Sequence, residues 1–233
     1  RDKDGRLMDL IDCQKEWFAG EASPSYVSME RINPNASGTN PNNWANNNLI
    51  TKNGLDSKGN QIFGTPKQEN SVSKSETLIA YSEDLPFDKF EEITLTTLGN
   101  PYIIDGKAPD TLSVPSGKTL EIEAGVTLKF AANEVFYVGG TLKAIGTKDK
   151  EISFIPLENK SWAGIGFRGE SLQDDTSSHL EFFRLKHAER CWNVSCSQKI
   201  IISAYDKKII LKNGKFNSLK EKPPMGIWLE NST

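Results

Sequence analysis

The stretch VPSGKTLEIEAGVTLKF (Val114–Phe130) alternates apolar and polar residues on both sides of a glycine, and GGTLKAIG (Gly139–Gly146) repeats the pattern. Alternation with a period of two residues over three to five positions predicts β-strands. Leucine and isoleucine then face inward, whereas threonine, glutamate and lysine face water. One such unit has an apolar face that it cannot bury alone, so the repetition predicts stacked units around a continuous internal column.

The alternation continues to the end of the chain and indicates a solenoid. One frame of inward positions recurs in steps of 18 to 24 residues: Leu120, Leu142, Ile165, Leu185, Ile209 and Ile227. Several short strands within each step predict a right-handed, single-stranded parallel β-helix of five or six coils. An antiparallel β-sandwich is the alternative, but its favoured Asn-Gly or Asp-Gly turns occur only in KNGK (Lys212–Lys215) and IDGK (Ile104–Lys107).

Composition divides the 233 residues into three regions. Residues 1–72 hold short apolar pieces between loops, including the asparagine-rich stretch Asn33–Asn48, which we predict to be a loop pinned by Trp44. Residues 73–98 are more charged and are predicted to form a connector with one short helix or strand. Residues 99–233 carry the repeats. The all-β expectation agrees with the abundance of Asn, Gly, Ser and Thr.

Charge and hydropathy exclude two classes of partner. The net charge is −3 with mixed signs along the chain, so no basic field for nucleic acid is present. No apolar run approaches the roughly 20 residues that a membrane-spanning helix needs, so no membrane span is predicted.

Residues 99–233 resemble the β-helix of bacterial and archaeal surface proteins. The opening segment PYIIDGKAPDTLSVPSGKTLEIEAGVTLKF is followed in order by Gly140–Thr147, Ile152–Phe154, Trp162–Phe167 and Ser178–Ala188, as in those proteins. The resemblance implies a parallel β-helix with an N-terminal cap, and it implies no single activity.

Residues 1–72 resemble the C-terminal part of a bacterial lamin-tail domain. DKDGRLMDLID (Asp2–Asp12), WFAGEASPSYVSMERINP (Trp17–Pro34), Asn43 with Trp44, and GTPKQENS (Gly64–Ser71) are similar to its motifs. The resemblance implies a partial immunoglobulin-like β-sandwich, an accessory module for binding or anchoring in secreted proteins.

Two motifs suggest chemistry that their context does not favour. GIGFRG (Gly164–Gly169) matches a dinucleotide-binding pattern, but a polar loop follows where a helix is required, so we interpret it as a strand with corner glycines. Glu170, Asp174 and Asp175 form an acidic loop near Arg168, which a polysaccharide lyase or glycosidase would use. A solvated turn explains that loop better, because no register-matched set of acids is evident.

The remaining candidates are aromatic rings, histidines and cysteines. Trp162, Trp192 and Trp228 are the candidate glycan contacts, with core or corner packing as the alternative. His179 and His187 are interpreted as surface or corner residues. Cys191 and Cys196 are a candidate local disulfide. We assign no catalytic residue, cofactor or metal; Ca²⁺ is the one ion considered, for the acidic loop.

These observations predict a non-catalytic structural or adhesive protein located extracellularly or at the cell surface. Its expected partners are glycans or other surface proteins, with self-assembly into a layer or filament through open strand edges near Gly226–Thr233. A carbohydrate-active β-helix enzyme is the alternative.

Overall fold

A computed structural model describes residues 2–106, 112–169, 177–188, 190–191, 199–217, 225–230 and 232. The chain divides into two compact units, residues 1–77 and 78–233. Across the described residues the structure is all-β, and its helices are three short 3₁₀ turns, Pro41–Asn43, Ser82–Asp84 and Thr97–Gly99.

The first unit holds one antiparallel two-stranded sheet of β1 (Met29–Arg31) and β2 (Trp44–Asn46). Its other pairings are isolated bridges, such as that between Val27 and Phe63. Side chains hold the intervening loops: the Asn43 amide donates to the Asn33 carbonyl at 3.0 Å and accepts from the Asn33 N–H at 2.9 Å. The immunoglobulin-like sandwich is therefore not confirmed by the described strands.

Trp44 does anchor the asparagine-rich stretch, since its indole N–H donates to the Gly38 carbonyl at 3.0 Å. The stretch is not loop throughout, because it includes the turn Pro41–Asn43 and strand β2. Buried Glu30 holds the same unit together by accepting hydrogen bonds from Asn47, Thr65 and Ser71 at 2.6–2.9 Å.

The second unit is a parallel β-solenoid of about five turns. After β3 (Thr77–Ile79) each turn contributes one strand to each of three sheets. The first turn holds β4 (Glu92–Leu95), β5 (Tyr102–Ile104) and β6 (Leu112–Val114). The second holds β7 (Thr119–Ile122), β8 (Thr127–Phe130) and β9 (Val135–Val138), and the third holds β10 (Thr141–Ile145), β11 (Ile152–Pro156) and β12 (Gly164–Arg168).

The last two turns are less regular. The fourth holds β13 (Ser178–Glu181), β14 (Phe183–Lys186), the short β15 (Arg190–Cys191) and β16 (Lys199–Tyr205). The fifth holds β17 (Ile209–Lys212), β18 (Lys215–Asn217) and β19 (Met225–Glu230).

Stacking of equivalent strands forms the three sheets. Sheet A is β4-β7-β10-β13-β17, sheet B is β3-β5-β8-β11-β14-β18, and sheet C is β6-β9-β12-β16 with β19 paired to β16. From β4 onward the described pairings are parallel, except for that of β15 with β16. This parallel order excludes the antiparallel sandwich for the second unit and confirms the β-helix prediction.

The inward residues predicted from alternation fill the solenoid interior in the first four turns, whereas Ile227 of the last turn is 45% exposed. In sheet A, Leu95, Ile122, Ala144 and Leu180 lie in one register row and are at most 1% exposed. Aromatic rings stack within the same interior, since Phe130 lies 4.0 Å from Trp162 between ring centroids, nearly parallel to it. Burial of such side chains contributes roughly 1.5–3 kcal/mol each, so the column is the main source of stability.

The predicted repeat of about 20 residues is wrong as a measure of one turn. Leu120 and Leu142 are register partners 22 residues apart, but Ile165 pairs with Ile202, 37 residues later. Leu185 and Ile209 lie in sheets B and A, so the chosen frame passes from sheet to sheet. Corners of different length separate the strands, and sequence spacing therefore does not report the length of a turn.

The segment 73–98 is more than a connector. It supplies β4, whose Ile93 is the register partner of Leu120, and β3 at the edge of sheet B. Ile79, Ile93 and Leu95 are at most 1% exposed. The first turn of the solenoid therefore begins within this segment, because β4 pairs in register with β7 of the second turn.

Candidate functional site

A groove on the outer face of sheet C is the candidate site. Its first row consists of Tyr137, Gly166, Ser203 and Trp228, which are successive register partners on β9, β12, β16 and β19. Two large aromatic residues thus flank two small ones. The strands of a sheet lie about 4.8 Å apart, so the backbones that carry the two aromatic residues are about 14 Å apart.

A second row runs beside the first. Arg168, Tyr205 and Glu230 are register partners two residues further along β12, β16 and β19. All three are exposed, and they line the same groove. The groove has a volume of about 360 Å³, within the range of small-molecule sites.

Gly166 keeps the floor of the groove open, and packing does not require a glycine there. A Cβ at Gly166 would lie 3.5 Å from the Ser203 hydroxyl, an ordinary contact. Gly164 differs, because its φ is +88° and a Cβ would lie 2.4 Å from the Ile201 carbonyl oxygen. Glycine within a strand weakens that strand and often marks a place where a ligand approaches closely.

The dinucleotide-like motif Gly164–Gly169 is a strand with corner glycines, as predicted. β12 occupies Gly164–Arg168, and a Cβ at Gly169 would overlap the Asp206 carbonyl oxygen at 1.8 Å. Gly164 and Gly169 therefore allow close backbone approach at the corners, whereas Gly166 between them leaves the outer surface open.

The three candidate tryptophans separate in the structure. Trp162 is fully buried and its indole donates to the Lys186 carbonyl at 2.8 Å, so it packs in the core and offers no ring to a glycan. Trp228 is 37% exposed and lies in the groove wall. Trp192 lies outside the described residues.

Several other predicted residues also lie outside the described part of the chain. These are Glu170, Asp174 and Asp175 of the acidic loop, Cys196, and the side chain of Cys191. The loop's function and the disulfide therefore stay predictions. Cys13 is a free cysteine.

The outer face of sheet A brings together charges that spacing did not reveal. Glu121, Lys143 and His179 are successive register partners, and Lys143 also reaches Glu92 at 3.3 Å. Partial burial, followed by a hydrogen bond and repulsion from Glu92, raises the pKa of Glu121.

His187 lies at a corner, as one of the two predicted positions, whereas His179 is half-buried on strand β13. His179 Nε2 lies 3.2 Å from a Glu181 carboxylate oxygen, and His187 has a φ of +52° just after β14. Among the described residues no group of three His, Cys, Asp or Glu side chains is placed to hold a metal ion. None of the helices in the described ranges is long and apolar enough to cross a membrane.

Sequence reasoning identified Trp228 and missed Tyr137, Gly166, Ser203 and Tyr205. One signal was available: in GIGFRG the middle glycine falls on an outward position of an alternating strand, where a bulky polar residue would favour the strand more. The aromatic walls carried no comparable signal, because Tyr137 and Trp228 are 91 residues apart in sequence.

Comparisons with known proteins do not show a family. No family model and no solved structure matches the chain. Vacuolar import and degradation protein 27 of Saccharomyces cerevisiae is 32% identical over 110 residues, which is 46% of this chain and 14% of that protein. Protein bark beetle of Drosophila melanogaster is 32% identical over 96 residues, 40% of this chain and 3% of that protein. The chain is thus similar to a small part of each relative.

Proposed function

We propose that the protein is a non-catalytic adhesive module of an extracellular or cell-surface protein, and that its solenoid binds a glycan in the groove of sheet C. The aromatic-walled groove with its glycine floor carries the proposal. Apolar faces of sugars pack on aromatic rings, and an open floor admits a ring of that thickness. Ser203, Tyr205 and Tyr137 add hydroxyl groups that exchange hydrogen bonds with sugar hydroxyls.

Rigidity supports a role in binding. The groove residues project from four strands that are held in parallel register by the solenoid. A surface that is already ordered loses little conformational entropy when a ligand binds. Stacked turns also form a stiff body with a repeated outer face, which suits a presenting or structural role.

The finer features of the proposal are a right-handed winding, a lamin-tail-like character of the first unit, and self-assembly through the last turn. In support of assembly, the inward row of β19 is incompletely covered, with Ile227 45% exposed and Leu229 50% exposed. Exposed apolar side chains of this kind favour burial against another protein surface.

A glycan array followed by titration calorimetry tests the binding function. We expect the chain to bind at least one glycan, and Trp228→Ala to lower that affinity by roughly tenfold, as loss of a stacking aromatic does. Trp17→Ala is the matched control, because Trp17 is 72% exposed and lies in the first unit. An array without binding, or equal loss in both variants, contradicts the proposal.

Two further measurements separate the alternatives. Analysis of the bound glycan for cleavage, with and without Ca²⁺, tests for a carbohydrate-active enzyme, and products with new chain ends would replace the adhesive function by a catalytic one. Light scattering over a concentration series tests assembly. If the protein is a monomer at every concentration, the assembly proposal is wrong, and the glycan-binding proposal is unaffected.

A further inference from the structure

We infer that the groove selects uncharged oligosaccharides over their uronic-acid counterparts, with Arg168 and Glu230 as the residues that set this preference. The inference rests on the proposed glycan-binding function and names its ligand class. Arg168 and Glu230 are the charged members of the described groove lining.

The placement of the two charges carries the argument. Arg168 and Glu230 lie in one row on either side of Tyr205, so their backbones are separated by two strand spacings, about 10 Å. Within the described part of the lining the two formal charges are opposite and sum to zero, so neither sign dominates the row. Both side chains are exposed, so each acts on a ligand over a short range set by screening of about 8 Å at physiological ionic strength.

Hydroxyl groups match both ends of this row. The Glu230 carboxylate only accepts hydrogen bonds, and the Arg168 guanidinium only donates them. A hydroxyl donates and accepts, so one kind of group satisfies both residues along a chain of sugar rings. A uronate carboxylate has no proton to donate to Glu230, and near Glu230 it is repelled.

Other ligand classes fit the row less well. The two charges of a free amino acid are adjacent, whereas Arg168 and Glu230 stand on strands two spacings apart. A polyanion or polycation would meet one attractive and one repulsive residue. Uncharged polyols remain the class that gains from both.

Three matched pairs of hexasaccharides provide the test: glucose with glucuronate, galactose with galacturonate, and mannose with mannuronate, each pair having one linkage. We expect the neutral member of a bound pair to bind at least several-fold more tightly. Glu230→Gln should lower the affinity for the neutral member by up to about tenfold, since a hydrogen bond to a charged acceptor is lost. In the same variant the affinity for the uronate should come close to the affinity for the neutral sugar, because the repulsion from Glu230 is removed.

Arg168→Gln is the complementary variant. This variant should lower the affinity for both members of a pair, and the affinity for the uronate should fall at least as much as that for the neutral sugar. Tighter binding of the uronate by the unmodified protein overturns the inference, as does an unchanged preference in Glu230→Gln. Failure of all six probes also overturns it, and the glycan array then decides separately whether the proposed binding function stands.

Discussion

Tyr137 and Trp228 lie in the same outward-facing row of sheet C, separated by the strands that carry Gly166 and Ser203. Each aromatic residue stands on a different turn of the solenoid, and two further turns supply the floor between them. The groove therefore exists only when four successive turns are stacked in register. Its width is set by strand spacing, and so it is insensitive to the length of the corner loops.

Filling the floor at Gly166 should abolish binding without unfolding the protein. In Gly166→Leu the side chain would project into the groove, where the Cβ meets ordinary contacts. We expect at least a tenfold loss of glycan affinity by calorimetry, with Tm within a few degrees of the unmodified protein.

Gly164→Ala is the matched control on the same strand. Its Cβ would approach the Ile201 carbonyl oxygen to 2.4 Å in a backbone of positive φ, so we expect a large fall in Tm. Retention of binding in Gly166→Leu, or equal unfolding of the two variants, would contradict the assignment of the groove floor.

Removing the Trp162 ring should destabilise the solenoid. The side chain is fully buried, stacks on Phe130 and donates to Lys186, so Trp162→Ala leaves a cavity and an unpaired carbonyl. We expect a loss of about 3–5 kcal/mol in the free energy of unfolding, measured by denaturant titration. Trp228→Ala should lower the free energy of unfolding by less than about 1 kcal/mol, because that ring is at the surface. Similar costs for both would show that Trp162 is not a core residue.

Glu121 should make the solenoid less stable as pH rises. Burial and the neighbouring Glu92 raise the pKa of Glu121 above its ordinary value of 4.5. The stabilisation is thus complete below that value and is lost as pH rises through the folded-state pKa. Glu121→Gln should remove this dependence and raise the free energy of unfolding at pH 7 by no more than about 1 kcal/mol, since solvent screens the group. Thermal melts from pH 4 to 8 provide the measurement; Glu83→Gln, at an exposed position, should leave the profile unchanged.

Glu151 should have the opposite pH dependence. Hydrogen bonds from Lys215 and Arg184 lower the pKa of Glu151, and these partners belong to the next two turns of sheet B. The stabilisation is present above pH 4.5 and is lost as pH falls through the folded-state pKa. Glu151→Gln should therefore lower Tm slightly at pH 7 and flatten the acid limb of the melting profile. Glu158→Gln is the control, because Glu158 pairs with Lys160 in its own corner; an equal effect would argue against a link between turns.

In the first unit the described strands leave the implied sandwich unconfirmed. Its motifs implied a partial sandwich, yet the described residues hold one two-stranded sheet and several bridges. Side-chain hydrogen bonds add long-range links here, and the buried carboxylate of Glu30 joins segments that are up to 41 residues apart. Contacts of this kind leave no periodic pattern in a sequence.

The sequence by itself determined the class of the second unit. Alternation decides which side chains face inward, and glycine at the corners permits the bends. Short strands around an apolar column therefore follow from local chemistry. Only the tertiary structure decided which strands become neighbours. Register partners are 22 residues apart at Leu120 and Leu142 but 37 apart at Ile165 and Ile202. Corner length varies while strand spacing does not, and for that reason the rows that contain Tyr137, Gly166, Trp228 and Glu121 appear only after the turns are stacked.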